Sequence, residues 1–225
     1  MDDLADCVRI DTRLAGQVKR YHTWPIIGQQ TVAEHTWQML RIYLSVCAKP
    51  EQRIMFYIIF HDIGEHYTGD IPYPVKSENR ELKERMDMLE KRSWATQLDY
   101  WGSFHQVWVG DDDKVLCKMI ELVEMAEFGM DQVCLGNAHG YIVANRCLMA
   151  VYNMRPPPRL VTYVTKRIRL FFQQCPAIHT GYDLDEDWWF PARWEMKYGQ
   201  HATHEVSGAD SQSGHTGAQA EGRHI

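Results

Sequence analysis

Apolar residues recur at intervals of three and four along most of this chain, and that period specifies helices. From Thr36 to Ala48, the residues Trp37, Leu40, Leu44 and Cys47 mark one helix face. Pro50 suits the first turn of a following helix that runs through Ile54, Ile58 and His61. Gly69 and Pro72-Tyr73-Pro74 then force a loop. Ser77 is placed to cap a long helix from Glu78 to about Tyr100, with Glu78 and Glu81 at the positive end of its dipole. Further helices are expected over Lys114 to Phe128, from Gly136-Asn137 to about Met154, and from Pro156-Pro157-Pro158 to about Gln174. The β-branched run Leu160 to Thr165 sits inside a helical period. The fold class is therefore all-α.

The sequence changes character at Gly199. From there to Ile225 it is rich in Gly, Ser, Ala, Gln and His and holds no aromatic residue. Such a segment buries too little apolar surface to offset its ordering, so a disordered tail is expected over 199–225, after a single domain over 1–198. His201, His204, His215 and His224 fall in that tail and read as solvated. With 225 residues and 45 % hydrophobic content, the chain can bury a core without staples. Six cysteines, Cys7, Cys47, Cys117, Cys134, Cys147 and Cys175, are scattered without a CxxC pair. They read as buried, reduced thiols of a cytoplasmic protein. The acidic start Met1-Asp2-Asp3-Leu4 lacks an apolar region, so no signal peptide is expected. No apolar run approaches the ~18 residues of a membrane span. The net charge of −6 argues against long nucleic acid as a partner, because phosphate backbones need clustered cations.

The chemistry concentrates where the apolar run Ile54 to Phe60 ends in His61-Asp62, with Glu65 one turn on. Imidazole and carboxylate both ligate divalent transition metals. Adjacent helical residues diverge by about 100°, so both reach one ion only at a helix end. Glu65 stands at i+4 from His61 and i+3 from Asp62, so all three can face one cleft. Upstream, His35 follows Glu34 at the start of an amphipathic helix; alone it reads as a hydrogen-bonded helix-start histidine. Downstream, Glu121 and Glu124 lie on one helix face, and either is placed to close a metal site or to form a solvated acidic surface. Met86, Met88, Leu89 and Trp94 read as core or subunit contact, and Trp188, Trp189, Pro191 and Trp194 as an aromatic cluster packed on the bundle.

Three blocks resemble the HD-domain phosphohydrolases, and within them the bacterial 5′-deoxynucleotidases and their phage relatives, which include deoxyadenosine triphosphate hydrolases. The first is Arg20-Tyr21-His22-Thr23-Trp24-Pro25 with Glu34-His35 ten residues on. The second runs from Phe60-His61-Asp62-Ile63-Gly64-Glu65 into Thr68-Gly69-Asp70-Ile71-Pro72-Tyr73-Pro74-Val75-Lys76. The third is the helix around Glu121. The resemblance covers residues 17 to 128 and implies an HD-domain helical bundle. It implies that His35, His61 and Asp62 bind one divalent transition metal such as Co²⁺, Mn²⁺ or Zn²⁺. Glu121 stands where the family has a fourth, aspartate ligand, with Glu124 as the reserve. Glu65 matches the catalytic acid/base and Asp70 an aspartate of the same pocket. Arg20 matches a phosphate-binding arginine, Tyr21 a tryptophan at the sugar and base, and Lys76 a lysine near the phosphate. Pro74 belongs to a stiff loop suited to a pocket wall.

A divalent ion brings the pKa of bound water toward ~7, and cations such as Arg20 and Lys76 can stabilise the phosphoryl oxygens. The resemblance thus implies a small-molecule deoxyribonucleotide as substrate, cut at its 5′-phosphate ester. A monophosphate would release phosphate; a triphosphate such as dATP would release triphosphate. A non-catalytic nucleotide-binding scaffold is the reading from another class. The resemblance of the Thr-Gly-Asp-Ile-Pro loop implies that cyclic nucleotides and alarmones are disfavoured. By analogy with relatives a homo-oligomer is expected, without a membrane partner, in the cytoplasm (the host's, for a phage-encoded chain).

Overall fold

The computed structural model describes residues 12–71, 78–100, 109–175 and 194. Its elements are α1 (Thr12–Gly16), β1 (Lys19–Arg20), β2 (Gln30–Thr31), α2 (Val32–Val46), α3 (Gln52–Phe60), α4 (Glu65–Thr68), α5 (Arg80–Tyr100), α6 (Asp111–Cys134), α7 (His139–Asn153) and α8 (Pro158–Gln174). The all-α expectation holds, with one two-residue antiparallel ribbon beside the bundle. Tail residues 199–225 and Trp188, Trp189 and Pro191 lie outside the described residues, as does Cys7.

The helices start where local chemistry starts them. Thr31 caps α2 through a reciprocal box: its hydroxyl accepts from the Glu34 N–H at 3.2 Å, and the Glu34 carboxylate accepts from the Thr31 N–H at 2.7 Å. Three aspartates, Asp111 to Asp113, fill the first turn of α6, where the dipole favours negative charge. Pro158 opens α8.

The core gathers Met39, Ile42, Tyr43 and Val46 of α2, Ile54 and Ile58 of α3, and Ile120, Val123, Ala126 and Met130 of α6. Ala144, Leu148 and Val151 of α7 and Leu160, Val164 and Ile168 of α8 complete it. The buried stripe of α2 is thus not the one marked by Trp37 and Leu44, which are 64 % and 47 % exposed. Both faces of that helix are apolar, and the inward one also carries His35 and Thr36. Trp194 is fully buried, as a packing role requires, and its indole N–H donates to the Thr165 hydroxyl at 3.2 Å.

α6 continues six residues past the expected end at Phe128, through Gly129. The reason is packing rather than propensity. A β-carbon at Gly129 would stand 2.7 Å from the Gly140 carbonyl oxygen and 2.8 Å from the Ala144 nitrogen of α7. The missing side chain lets the two backbones touch.

The expectation of reduced thiols needs one correction. Cys134 at the end of α6 and Cys175 after α8 form a disulfide, their Cα atoms 5.8 Å apart. That separation lies in the normal bridging range. They stand 41 positions apart in the chain, so no spacing motif announces the pair. Cys47, Cys117 and Cys147 are free. Burial pushes the Cys117 and Cys147 thiols up to about 12, which leaves them unreactive at neutral pH. Among the described residues, no helix is long and apolar enough to cross a membrane.

Gly129→Ala tests the α6–α7 contact. Alanine gains about 1 kcal/mol of helix propensity, whereas an overpacked interior typically costs about 1–3 kcal/mol. Against rigid backbone the steric cost should lie at the upper end and dominate, giving a net loss of up to about 2 kcal/mol in urea unfolding. An unchanged or raised midpoint would show that the backbones can part freely.

Candidate active site

The capping box fixes the first turn of α2, and His35 follows it on the inward face with 0 % exposure. His61 closes α3, and the chain then turns tightly: the Ile63 N–H donates to the Phe60 carbonyl and the Glu65 N–H to that of Asp62, both at 3.0 Å. These short-range turns let neighbouring His61 and Asp62 address one point, which a continuing helix would forbid.

The His35 Nε2 lies 3.7 Å from Asp62 Oδ2, and the His61 Nε2 lies 3.3 Å from Asp62 Oδ1. One ligand atom from each of the three residues falls within 4.8 Å of the others. The far nitrogens fix the tautomers. The His61 Nδ1–H donates to the Ile58 carbonyl at 2.8 Å, and the His35 Nδ1–H donates to Glu124 Oε2 at 2.5 Å. A neutral imidazole protonated at Nδ1 carries its lone pair on Nε2. Both Nε2 atoms are buried and have no hydrogen-bond partner among the described residues. Two inward lone pairs beside a carboxylate are a donor set that fits a divalent cation.

Glu65 is buried at the start of α4 and lines the same cleft as His61 and Asp62. That cleft, about 100 Å³, is also lined by Lys83, Met86, Asp87 and Leu89 of α5. Two of the apolar α5 residues therefore face the cleft, while Met88 is exposed and the side chain of Trp94 lies outside the described residues.

Arg20 of β1 is only 8 % exposed. Burial works against its positive charge, but Asp62 and, more weakly, Tyr21, Glu124 and Glu121 outweigh that, so its pKa is raised. Its Nε and Nη1 are buried without a hydrogen-bond partner among the described residues. Tyr21 takes a left-handed backbone (φ 57°), and its N–H donates to Asp70 Oδ2 at 3.0 Å. Its ring stacks on Phe128, centroids 4.7 Å apart and 7° from parallel. The loop after Tyr21 is fastened to the end of α6. The side chain of Gln132 accepts from the Ile27 N–H at 2.7 Å and donates to the Ile27 carbonyl at 3.0 Å.

Glu121 does not join the three gathered ligands. Both of its oxygens accept from the Lys118 ammonium at 2.8 Å. Burial raises its carboxyl pKa, but Lys118 and then His61 pull it down further, leaving it below the usual range. Pro74 and Lys76 lie outside the described residues. The sequence reading did not single out two residues that the site holds: Lys83, which lines the cleft, and Gln30, which donates to Glu124 Oε1 at 2.7 Å. It weighed Glu124 as a reserve metal ligand, whereas Glu124 holds His35 from behind. The cross-strand position of Gln30 opposite Arg20 was the one available signal, and a ribbon of two-residue strands shows no period.

Residues 16–106 match the family described as the HD domain. Curated relatives include the 5′-deoxynucleotidase YfbR of Escherichia coli (strain K12 / DH10B), 25 % identical over 95 residues, which cover 37 % of this chain and 48 % of the relative. The YfbR 5′-deoxynucleotidase of Salmonella paratyphi B and the 5′-deoxynucleotidase of Citrobacter koseri match at the same identity and coverage. The chain spans about half the length of the curated relatives it matches.

His61→Ala and Asp62→Ala, each equilibrated with Mn²⁺ or Co²⁺ and desalted, should lose the ion that the unaltered protein retains, as read by elemental analysis. One ion per chain in both variants would remove this trio as the metal's seat.

Proposed function

We propose that the HD domain of this chain is the catalytic part of a metal-dependent phosphohydrolase that cleaves the 5′-phosphate ester of 2′-deoxyribonucleoside monophosphates. The observation that carries the reading is the pair of buried Nε2 atoms facing Asp62 without a hydrogen bond among the described residues, with the buried guanidinium of Arg20 nearby. The relatives named as 5′-deoxynucleotidases support the choice of ester.

His35, His61 and Asp62 hold the ion. When bound, a divalent cation supplies Lewis-acid polarisation of a phosphoryl oxygen and a more acidic water. Arg20 presents planar, fixed N–H donors to the phosphoryl oxygens, where charge builds as the ester bond breaks. Water adds to phosphorus, the bond to the 5′-oxygen breaks, and that oxygen needs a proton. Glu65, buried beside His61 and Asp62, takes a proton from the attacking water and passes one to that oxygen. The Tyr21–Phe128 stack offers an aromatic surface beside Arg20 for the nucleoside. Asp70 holds the backbone that carries it. Glu121 is the candidate fourth donor, and to serve as one its carboxylate must leave Lys118. Lys83 is a cation on the cleft wall, available to a phosphate. Lys76 and Pro74 are assigned to the phosphate and the pocket wall by resemblance alone.

The test is a panel of deoxy- and ribonucleoside mono- and triphosphates with Mn²⁺ or Co²⁺, the released species identified by ³¹P NMR. Inorganic phosphate from deoxynucleoside monophosphates is the expected product. Triphosphate released from dATP would instead select the triphosphohydrolase reading. Nucleotide binding without turnover would select the scaffold, and no turnover with any divalent ion would defeat both hydrolase readings. Within the expected outcome, Glu65→Gln should lower kcat by about 10²–10⁴ while metal content stays at the level of the unaltered protein. A kcat within a factor of two would remove Glu65 from proton transfer.

A further inference from the structure

Glu124 is 2 % exposed and stands on α6, yet no step of the proposed reaction uses it. A carboxylate buried this deeply is costly unless each oxygen is satisfied. Here the oxygens divide their partners. Oε1 accepts from the Gln30 amide at 2.7 Å, and Oε2 accepts from the His35 Nδ1–H at 2.5 Å. The Arg20 Nη1 lies 3.8 Å from the same Oε2. Arg20 and Gln30 are register partners in the β1–β2 ribbon, so their side chains leave the same face and meet one carboxylate.

We infer that Glu124 is a positioning residue that ties the metal ligand His35 to the phosphate-binding Arg20, a role that rests on the functional reading above. The two nitrogens of an imidazole point in different directions, so a carboxylate on Nδ1 cannot share an ion bound at Nε2. Glu124 therefore acts from outside the coordination shell. It fixes the His35 ring in the Nδ1–H form, with the lone pair turned toward Asp62. Toward Arg20 it does something different. At 3.8 Å the guanidinium is attracted but not hydrogen-bonded, so its N–H groups stay available for an incoming anion. One buried charge thus orients both halves of the site, and metal and phosphate affinities become linked through it.

Glu124→Gln keeps the shape and removes the charge; Glu124→Asp keeps the charge. Calorimetric titration with Mn²⁺, and then with inorganic phosphate at saturating Mn²⁺, reads each half. The glutamine variant should bind Mn²⁺ about 10–100-fold more weakly, as losses of such outer carboxylates typically do, and the aspartate variant should recover part of that. Arg20→Lys should weaken phosphate binding by a smaller factor in the Glu124→Gln background than in the unaltered protein. Folded Glu124→Gln with unchanged Mn²⁺ affinity overturns the His35 half. An equal Arg20→Lys effect in both backgrounds overturns the Arg20 half. If the glutamine variant does not fold, ¹H–¹⁵N spectra of the metal-free unaltered protein decide the His35 half. His35 protonated at Nδ1 supports it, and His35 protonated at Nε2 overturns it. An unaltered protein that takes up no divalent ion defeats the underlying functional reading instead.

Discussion

Complete burial of one histidine organises this molecule. A ring with no exposure cannot leave its nitrogens to water, so both must face something the protein supplies. His35 has a carboxylate from α6 on one side and, on the other, a space shared with His61 and Asp62. Satisfying it draws three distant stretches together: the start of α2, the end of α3 and the middle of α6. The capping box sets the depth at which the ring enters, and the tight turn after α3 sets what it meets. Around that point the bundle is apolar; within it, charges are matched one against another.

The flank of the bundle shows the same economy of charge. Glu127, one turn beyond Glu124, accepts from Arg41 of α2 and from Tyr163 and Arg167 of α8. This network joins three helices through a buried carboxylate but leaves Glu127 with strong donors on both oxygens. Glu124 differs. Its neighbour Arg20 stops short of bonding, and two guanidinium nitrogens remain without partners among the described residues. Filled donor sets stabilise packing, whereas unfilled buried ones can accept a water, an ion or a ligand.

What could be read from the sequence follows from distance along the chain. His61, Asp62 and Glu65 stand within one turn of one another, so their shared cleft was legible from spacing. His35 and Arg20 entered only through resemblance, because nothing local announces a partner many residues away. Glu124 was weighed as a reserve ligand, since its bond to His35 spans 89 positions and no periodicity encodes it. The pairing of Glu121 with Lys118 at i−3 was visible but competed with a family pattern. The helices were legible almost throughout, yet the buried side of α2 was not. A helix apolar on two sides does not say which side is inward, and the disulfide depends on how α6 and α8 end in space.

The grip of Asp70 on Tyr21 separates two requirements that usually fall on one residue. The carboxylate takes hold of a main-chain N–H, which every amino acid except proline possesses, while the ring beyond it, the surface offered to a nucleoside under the proposed function, packs on Phe128. Anchoring thereby makes no demand on the ring itself, and the left-handed backbone at Tyr21 is what narrows the choice of residue. A replacement that tolerates that backbone could change the ring without surrendering the attachment.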